Sequence, residues 1–203
     1  MNITIIGATG NVGSRIVNEA LSRGHQVAAI ARSADQLPAR PGLSAKALDY
    51  TDAAKLAAAI EGQDAVIAAV KYSTGHPATI VEAVKKAGVK RLLAVGGAGS
   101  LKEPSGRDVV DSPDFPEPWK AEALAARDFL VSLRQETALN WTLLSPSALL
   151  QPGARTAKYR IGADDLLIDA QGNSHISIED LAKALIDELE APKHQRKRFT
   201  VGY

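Results

Sequence analysis

The chain begins with a short apolar segment that runs directly into a turn with a glycine at every third position. Residues 3–6 are rich in isoleucine, which is typical of a buried parallel strand. Gly7, Gly10 and Gly13 follow, and an amphipathic stretch covers residues 11–22. The pattern predicts a strand, a tight turn and a helix, an arrangement that presents free backbone N–H groups to a pyrophosphate.

Each glycine of this turn has a separate expected role. Gly7 allows the sharp turn, Gly10 leaves no side chain between backbone and ligand, and Gly13 lets the helix pack closely on the strand. Spaced glycines alone are weak evidence, but here a strand precedes them and a helix follows. Thr9 and Asn11 add side-chain donors. The predicted nucleotide contacts are Gly7, Thr9, Gly10, Asn11, Val12 and Gly13.

Composition limits the classes of partner. A chain of 203 residues fits one domain with a substantial core. The net charge of +1 gives no reason to expect nucleic acid or a membrane as partner. The absence of cysteine excludes disulfides and thiol catalysis and fits a reducing compartment. No apolar run reaches membrane-spanning length, and the first residues belong to a strand rather than a signal peptide. A cytoplasmic protein is expected.

Strand-like and helix-like segments alternate along the chain. Further strands are predicted at 26–30, 43–48, 64–70, 91–95 and 141–145, and helices at 11–22, 53–60, 78–86 and 119–134. This alternation predicts an α/β fold, a doubly wound parallel sheet with helices on both faces.

The chain after residue 145 is less regular. Short strands are predicted near 158–161 and 166–169, and the segment 146–176 is expected to form a small cap over the C-terminal edge of the sheet, where ligands bind in such folds. We treat the whole of 1–203 as one domain that includes this cap. Residues 199–201 predict a final edge strand.

Three further features have structural interpretations. A helical stripe of apolar residues predicts core packing and consists of Trp119, Ala123, Ala126, Leu130 and Leu133. Ser177 begins the last helix with capping-box spacing to Asp180. The basic run 193–198 is interpreted as a solvated strand end rather than a nucleic-acid site.

The segment 96–118 is long for a connection in a compact domain and contains four glycines and four prolines. Long loops of this kind are often lids over a site. Its acidic residues include Asp108, Asp111, Asp114 and Glu117. Their spacing is irregular and no histidine accompanies them, so a solvated loop is favoured and no metal is expected.

The residues after the second and third strands bear on which nucleotide is bound. A carboxylate after the second strand would bind the ribose of NAD, whereas an arginine accommodates the 2′-phosphate of NADP. Arg32 and Ser33 stand there, which favours NADP(H) over NAD(H), although Asp35 is nearby. Arg32 could instead be a solvent-facing residue. Asp49 could accept from adenine, with Tyr50 against the ring, or Asp49 could simply start the next helix.

The glycine turn, Arg32 and Asp49 together resemble the atypical short-chain dehydrogenase/reductase superfamily. Within it, the chain is similar to small NAD(P)H-binding proteins: NmrA-like proteins, proteins provisionally called NADH-flavin reductases, and flavin reductase/biliverdin reductase B. The resemblance covers nearly the whole chain, including 64–67 and 177–182. It implies a Rossmann-like core and cofactor contacts from the turn and from Arg32, Asp49 and Tyr50, with Gly96, Gly97, Pro146 and Ser147 near the nicotinamide. The residues themselves add Ser33 as a further hydrogen-bond donor, and Ala69 and Val70 as small residues at the end of the fourth strand that leave room for the cofactor.

One departure from the superfamily limits the chemistry. Its dehydrogenases usually carry a Tyr-x-x-x-Lys pair, in which the tyrosine passes a proton to a substrate oxygen. Lys120 stands where the lysine would be, but Pro116 occupies the tyrosine position, and no other Tyr-x-x-x-Lys occurs. Alcohol–ketone chemistry and sugar epimerisation therefore lack their usual proton donor.

Hydride transfer to a flavin- or quinone-like acceptor needs no proton donor from the protein, unlike alcohol–ketone chemistry, because solvent can supply the proton. The sequence therefore predicts an NADPH-dependent reductase of such small molecules. Candidate catalytic helpers are His76, Tyr72, Ser100 and Lys120. His76 could equally only begin a helix, and Lys120 could be a surface residue. The alternative is a non-catalytic NAD(P)-binding sensor of the NmrA-like type. A monomer and a homodimer both remain open.

Overall fold

The computed structural model describes all 203 residues. Its strands are β1 (Asn2–Ile6), β2 (Gln26–Ala31), β3 (Leu43–Ala47), β4 (Ala65–Ala68), β5 (Arg91–Val95), β6 (Asn140–Pro146), β7 (Leu149–Gln151), β8 (Arg160–Gly162), β9 (His175–Ser177) and β10 (Lys197–Gly202). Its helices are α1 (Asn11–Ser22), α2 (Ala53–Ile60), α3 (Pro77–Lys86), α4 (Glu117–Gln135) and α5 (Ile178–Glu190).

Eight of the strands form one sheet in the order β3-β2-β1-β4-β5-β6-β10-β8. All neighbours pair in parallel except β8, which runs antiparallel to β10. The first six strands have the Rossmann order, which reverses direction between β1 and β4. The predicted doubly wound parallel α/β fold is confirmed. The single-domain assignment stays a prediction.

Each face of the sheet has its own apolar core. One core cluster lies under α1 and α5 and includes Ile16, Leu185 and Phe199. The other lies under α2, α3 and α4 and includes Leu56 and Ile80. Because both faces are covered, β4 is apolar along its length and β1 and β5 are mostly apolar, as central parallel strands should be. This leaves the carboxyl ends of the strands as the open edge of the sheet.

The structure corrects the predictions after residue 145. The short strand predicted near 158–161 is formed as β8. Residues 166–169 do not form a strand, because the chain turns at Asp169, whose carboxylate accepts from the N–H groups of Gln171 and Asn173. A parallel two-stranded pair, β7 with β9, was not predicted. Both of its strands are three residues long, too short for a periodic signal.

The predicted final edge strand is wrong, because β10 lies inside the sheet between β6 and β8. The basic run that leads into it is also not simply solvated. The guanidinium of Arg198 is buried, pairs with Asp164 and donates to Ser100. His194 stacks on Phe199 with ring centroids 4.4 Å apart. The partners of Arg198 lie 34 and 98 positions away in the sequence, so a local charge pattern does not reveal them.

The acidic segment before α4 is folded rather than a solvated loop. It contains two short 3-10 turns, Ala98–Ser100 and Val109–Asp111. Asp108 pairs with Lys102 at 2.7 Å and with Arg127 at 3.3 Å. Asp111 pairs with Arg127 at 2.9 Å. No group of His, Asp or Glu side chains in the protein is arranged to hold a metal ion.

The predicted core stripe of α4 is wrong at its first member. Ala123, Ala126, Leu130 and Leu133 are buried, but Trp119 is 67% exposed. The helix begins at Glu117, so Trp119 lies in its first turn, beyond the sheet that covers the rest of the stripe. Helical periodicity gives the direction of a side chain but not whether anything lies opposite it.

The start of α5 anchors the segment that leads out of β7. The Ser177 hydroxyl accepts from the Asp180 N–H at 3.0 Å, as a helix cap does. The Asp180 carboxylate does not complete a capping box but accepts from Thr156, Ala157 and Tyr203. Burial raises the pKa of this carboxyl, but these hydrogen bonds outweigh the burial and hold the pKa below its usual value.

None of the five helices combines the length and the apolarity needed to cross a bilayer. The cytoplasmic location expected from the sequence stays a prediction.

Candidate functional site

The glycine turn between β1 and α1 is built by close backbone contacts. The Gly7 N–H donates to Ile30 O at 2.8 Å, and Gly7 has a φ of +83°. A Cβ on Gly7 would lie 2.1 Å from Ala69 O, and one on Gly13 would lie 2.0 Å from Gly7 O. A Cβ on Gly10 would have more room, since its nearest neighbour would be Gly7 O at 3.3 Å. Gly7 and Gly13 are thus required by packing, whereas Gly10 is open to the surface.

The first turn of α1 leaves its N–H groups available to an anion. The first intrahelical bond is donated by Ser14 to Gly10 O at 2.9 Å, so the N–H groups of Asn11, Val12 and Gly13 have no backbone acceptor. Gly10 is the N-terminal cap, no side chain caps the helix, and no acidic residue stands in the first turn. The positive end of the helix dipole is therefore unopposed. This turn fits a diphosphate.

A cleft of about 810 Å³ opens from this turn along the ends of the strands. It is lined by residues of the glycine turn, of the β4 and β5 ends, of the segment before α4, of α4 and of β7. From the predicted cofactor set it contains Gly10, Asn11, Val12, Ala69, Val70, Gly96 and Gly97. The switch point between β1 and β4 is where ligands bind in open α/β sheets. The cleft can accommodate a nucleotide and a second small molecule.

The predicted adenosine contacts lie together beyond the glycine turn. The Ser33 hydroxyl donates to Thr9 Oγ1 at 3.2 Å, which joins the end of β2 to the turn. Asp49 accepts from the N–H and hydroxyl of Thr51. These bonds lower the pKa of the Asp49 carboxyl, and the nearby charge of Arg32 lowers it further. Arg32 itself is exposed, so its guanidinium is free to meet a phosphate.

The structure places Tyr50 against the segment that follows β4. Its hydroxyl donates to Lys71 O at 3.4 Å. A Cβ on Gly75 would lie 1.7 Å from that hydroxyl oxygen, so the ring side chain packs directly on the Gly75 backbone. Pro146 and Ser147 lie at the end of β6 and are buried. The Ser147 hydroxyl donates to Val201 O at 2.9 Å, and neither residue lines the cleft.

Three of the four predicted catalytic helpers do not line the cleft. His76 is the exposed cap of α3 and makes no side-chain hydrogen bond to it. Lys120 is exposed, with Glu117 as its partner at 3.8 Å. Ser100 is held by Arg198, which donates to its hydroxyl oxygen at 3.3 Å. The structure therefore does not bring His76, Ser100 and Lys120 together at one reacting centre.

Tyr72 does line the cleft, but its hydroxyl is already engaged. It donates to Val95 O at 2.6 Å, and the ring stacks on Phe129 at 5.1 Å between centroids. Burial raises the pKa of Tyr72 far above its usual range, and the charge of Glu122 adds to the shift. A buried phenol with a fixed acceptor is a poor proton donor to a ligand, so we interpret Tyr72 as a link between the ends of β4 and β5.

We expect Tyr72→Phe to lower the free energy of unfolding by about 1–2 kcal/mol, because Val95 O loses its partner in a buried site. NADPH affinity should change by less than about threefold, since the phenol is not needed to hold the cofactor. Urea unfolding and calorimetric titration measure the two effects. An unchanged unfolding free energy would contradict the structural role assigned to the hydroxyl.

Sequence reasoning missed Glu122, which holds the segment after β4 in place. Its carboxylate accepts from the N–H groups of Tyr72 and Ser73 at 2.8 and 2.9 Å, and from the Ser73 hydroxyl at 2.5 Å. The partners lie about fifty positions earlier in the chain, so no local motif marks the residue. Sequence reasoning also missed the apolar rim of the cleft, which we define as Phe115, Trp119, Leu149 and Leu150.

Comparison with known proteins decides the family. The family model described as NAD(P)H-binding matches residues 7–192. The chain belongs to this NAD(P)H-binding family. The match includes the glycine turn and every strand from β2 to β9, so the resemblance to the atypical short-chain dehydrogenase/reductase superfamily is confirmed. The prediction of an NAD(P)H-binding, oxidoreductase-like fold is confirmed with it.

Relatives of this chain cover its full length. The uncharacterized protein YwnB of Bacillus subtilis is 40% identical over an alignment of 212 positions, which covers 99% of this chain and 98% of YwnB. A Bacteroides thetaiotaomicron structure, provisionally named an epimerase, is 43% identical with a TM-score of 0.96 over 100% of this chain and 96% of its own. A Streptococcus pneumoniae structure, provisionally named an NADH-flavin reductase, is 34% identical with a TM-score of 0.83 over 100% and 99%.

Proposed function

We propose that this NAD(P)H-binding protein is an NADPH-dependent reductase that transfers hydride directly to a flat flavin- or quinone-like acceptor. The observation that carries the proposal is the apolar rim on the same cleft as the glycine turn. Trp119 is 67% exposed and Leu149 is 53% exposed, and both line the cleft. Clustered exposed apolar side chains mark binding surfaces, and an indole face suits stacking on a flat ring.

Hydride transfer of this kind requires little of the protein beyond positioning the nicotinamide and the acceptor ring. A bound reduced nicotinamide supplies a hydride, so the donor loses two electrons and the acceptor gains them with one proton from solvent. The glycine turn and the start of α1 would hold the diphosphate. The small residues Ala69, Gly96 and Gly97 leave room at the strand ends, and the rim holds the acceptor and excludes water.

Reactions that use the superfamily's tyrosine as their proton donor lack that donor at this site. Pro116 replaces the usual tyrosine, Lys120 lies outside the cleft, and the Tyr72 hydroxyl donates to Val95 O. These observations favour a reductase over the epimerase function named for the Bacteroides relative. The name of the Streptococcus relative supports the same choice.

The proposal is tested by titrating the protein with NADPH and then adding riboflavin or a simple quinone while the absorbance of reduced nicotinamide is followed. We expect acceptor-dependent oxidation, and we expect Trp119→Ala to raise the KM for the acceptor about tenfold, because it removes the largest surface that stacks on the ring. The Kd for NADPH should stay unchanged.

Val131→Ala is the matched control, since Val131 is exposed on the same helix but lies outside the cleft. It should leave both constants unchanged. Tight NADPH binding with no oxidation by any flavin or quinone would overturn the reductase proposal and favour the non-catalytic sensor.

A further inference from the structure

The acceptor end of the cleft carries carboxylates that have no basic partner. Glu103, Asp114 and Glu122 all line the cleft, and none of them forms an ion pair. The contrast with the neighbouring Asp108 and Asp111 is clear, because both of those pair with Arg127. Glu122 accepts hydrogen bonds from Tyr72 and Ser73 but pairs with no cation, and the three carboxylates are not arranged as a metal site. No basic side chain therefore neutralises their charge.

These carboxylates border the apolar rim. Asp114 immediately precedes Phe115, and Glu122 lies three residues after Trp119 on α4, which places it on the same side of the helix. The one basic residue that lines the cleft is Lys71. Lys71 adjoins Tyr50 through its backbone carbonyl, so it lies toward the predicted adenosine contacts. Lys71 also adjoins Tyr72, whose N–H donates to Glu122, so the charged side chains that line the cleft are three carboxylates and one lysine, an excess of negative charge.

We propose that the acceptor site selects flat rings that carry no negative charge and rejects those that bear a phosphate or a carboxylate. This inference rests on the proposed reductase function and names its substrate class. An aromatic ring gains apolar contact with the rim, whereas an anionic substituent beside unpaired carboxylates is repelled in a cleft where water is partly excluded. Repulsion of the wrong ligand is as effective for selectivity as attraction of the right one.

Riboflavin and flavin mononucleotide (FMN) are suitable probes, because they share one ring system and differ by a phosphate. The protein saturated with oxidised NADP is titrated with each, and quenching of Trp119 fluorescence is recorded. Trp141 is buried and gives a constant background, and Trp119→Phe removes the signal. Both probes absorb equally, so their inner-filter effects cancel.

We expect riboflavin to bind about tenfold more tightly than FMN at low salt, with the ratio falling toward one as ionic strength rises. The double variant Glu103→Gln/Asp114→Asn should reduce the ratio to about threefold or less by improving FMN binding alone. Asp128→Asn is the control, because Asp128 is exposed on α4 outside the cleft. It should leave the ratio unchanged.

Equal affinities, tighter FMN binding, a ratio unaffected by the double variant or the absence of quenching by either flavin would each overturn this proposal. Turnover with NADPH, measured in parallel, separates it from the proposed function. Selective ring binding without NADPH oxidation would refute the reductase but keep the selectivity, whereas equal turnover of both flavins would keep the reductase and refute the selectivity.

Discussion

Gly13→Ala is expected to abolish NADPH binding at accessible concentrations and to destabilise the protein. The new Cβ would lie 2.0 Å from Gly7 O and 2.8 Å from Gly7 C, and both of these atoms are backbone. The turn must therefore shift away from α1, which we expect to lower the free energy of unfolding by about 2–3 kcal/mol. The displaced N–H groups should cost at least about a hundredfold in NADPH affinity.

Gly10→Ala is the matched control, because it adds the same methyl group to the same turn. Its Cβ would lie 3.3 Å from Gly7 O, so the fold should be retained with a loss of less than about 1 kcal/mol. NADPH affinity should still fall, since the methyl group lies between the backbone and the diphosphate. Calorimetry and urea unfolding separate the two variants. Full NADPH affinity in Gly13→Ala would mean that the cofactor binds elsewhere.

Arg32→Glu is expected to weaken NADPH binding about a hundredfold and NADH binding by less than about threefold. The planar guanidinium at the end of β2 is exposed and lies close enough to Asp49 to lower the pKa of that carboxyl. The substitution removes a phosphate ligand and adds a like charge. NADH has no 2′-phosphate, so its affinity should be nearly unchanged.

The control for this charge reversal is Lys86→Glu, since Lys86 is exposed on α3 and does not line the cleft. Its effect on either coenzyme should be within error. Affinities are measured by the fluorescence of the reduced nicotinamide. An equal loss for NADPH and NADH in Arg32→Glu would refute the preference for NADP and leave Arg32 as a solvent-facing residue.

The parts of the fold that were predicted from sequence depend on local signals. The β1 turn and α1 follow from apolar runs and spaced glycines, and the observed Cβ distances at Gly7 and Gly13 match the reason for the spacing. The first six strands follow from alternation. The position of β10 does not follow from alternation, because β10 pairs with β6 and β8, whose residues lie more than thirty positions away in the sequence.

The cleft residues that sequence reasoning named also follow from local signals. They lie in the glycine turn and at strand ends. The part of the cleft where we propose that the acceptor binds is formed by α4, β7 and the segment before α4, and its shape depends on how far each of them extends past the sheet. Trp119 has core spacing but no neighbouring layer, and Glu122 is recognisable only from its distant N–H donors.

The pairing of α1 with α5 has a consequence for how the chain folds. Arg15 meets Glu179, and Arg23 meets Asp187 and Glu190, across more than 160 intervening positions. The apolar side of α1, with Ile16 and Val17, packs on the sheet and on α5 in one core cluster, so its cover is incomplete until α5 docks. Contacts between residues so far apart in the sequence slow folding. A chain in which α5 has not yet docked exposes apolar surface and is prone to aggregation. Refolding yield should therefore decline with protein concentration.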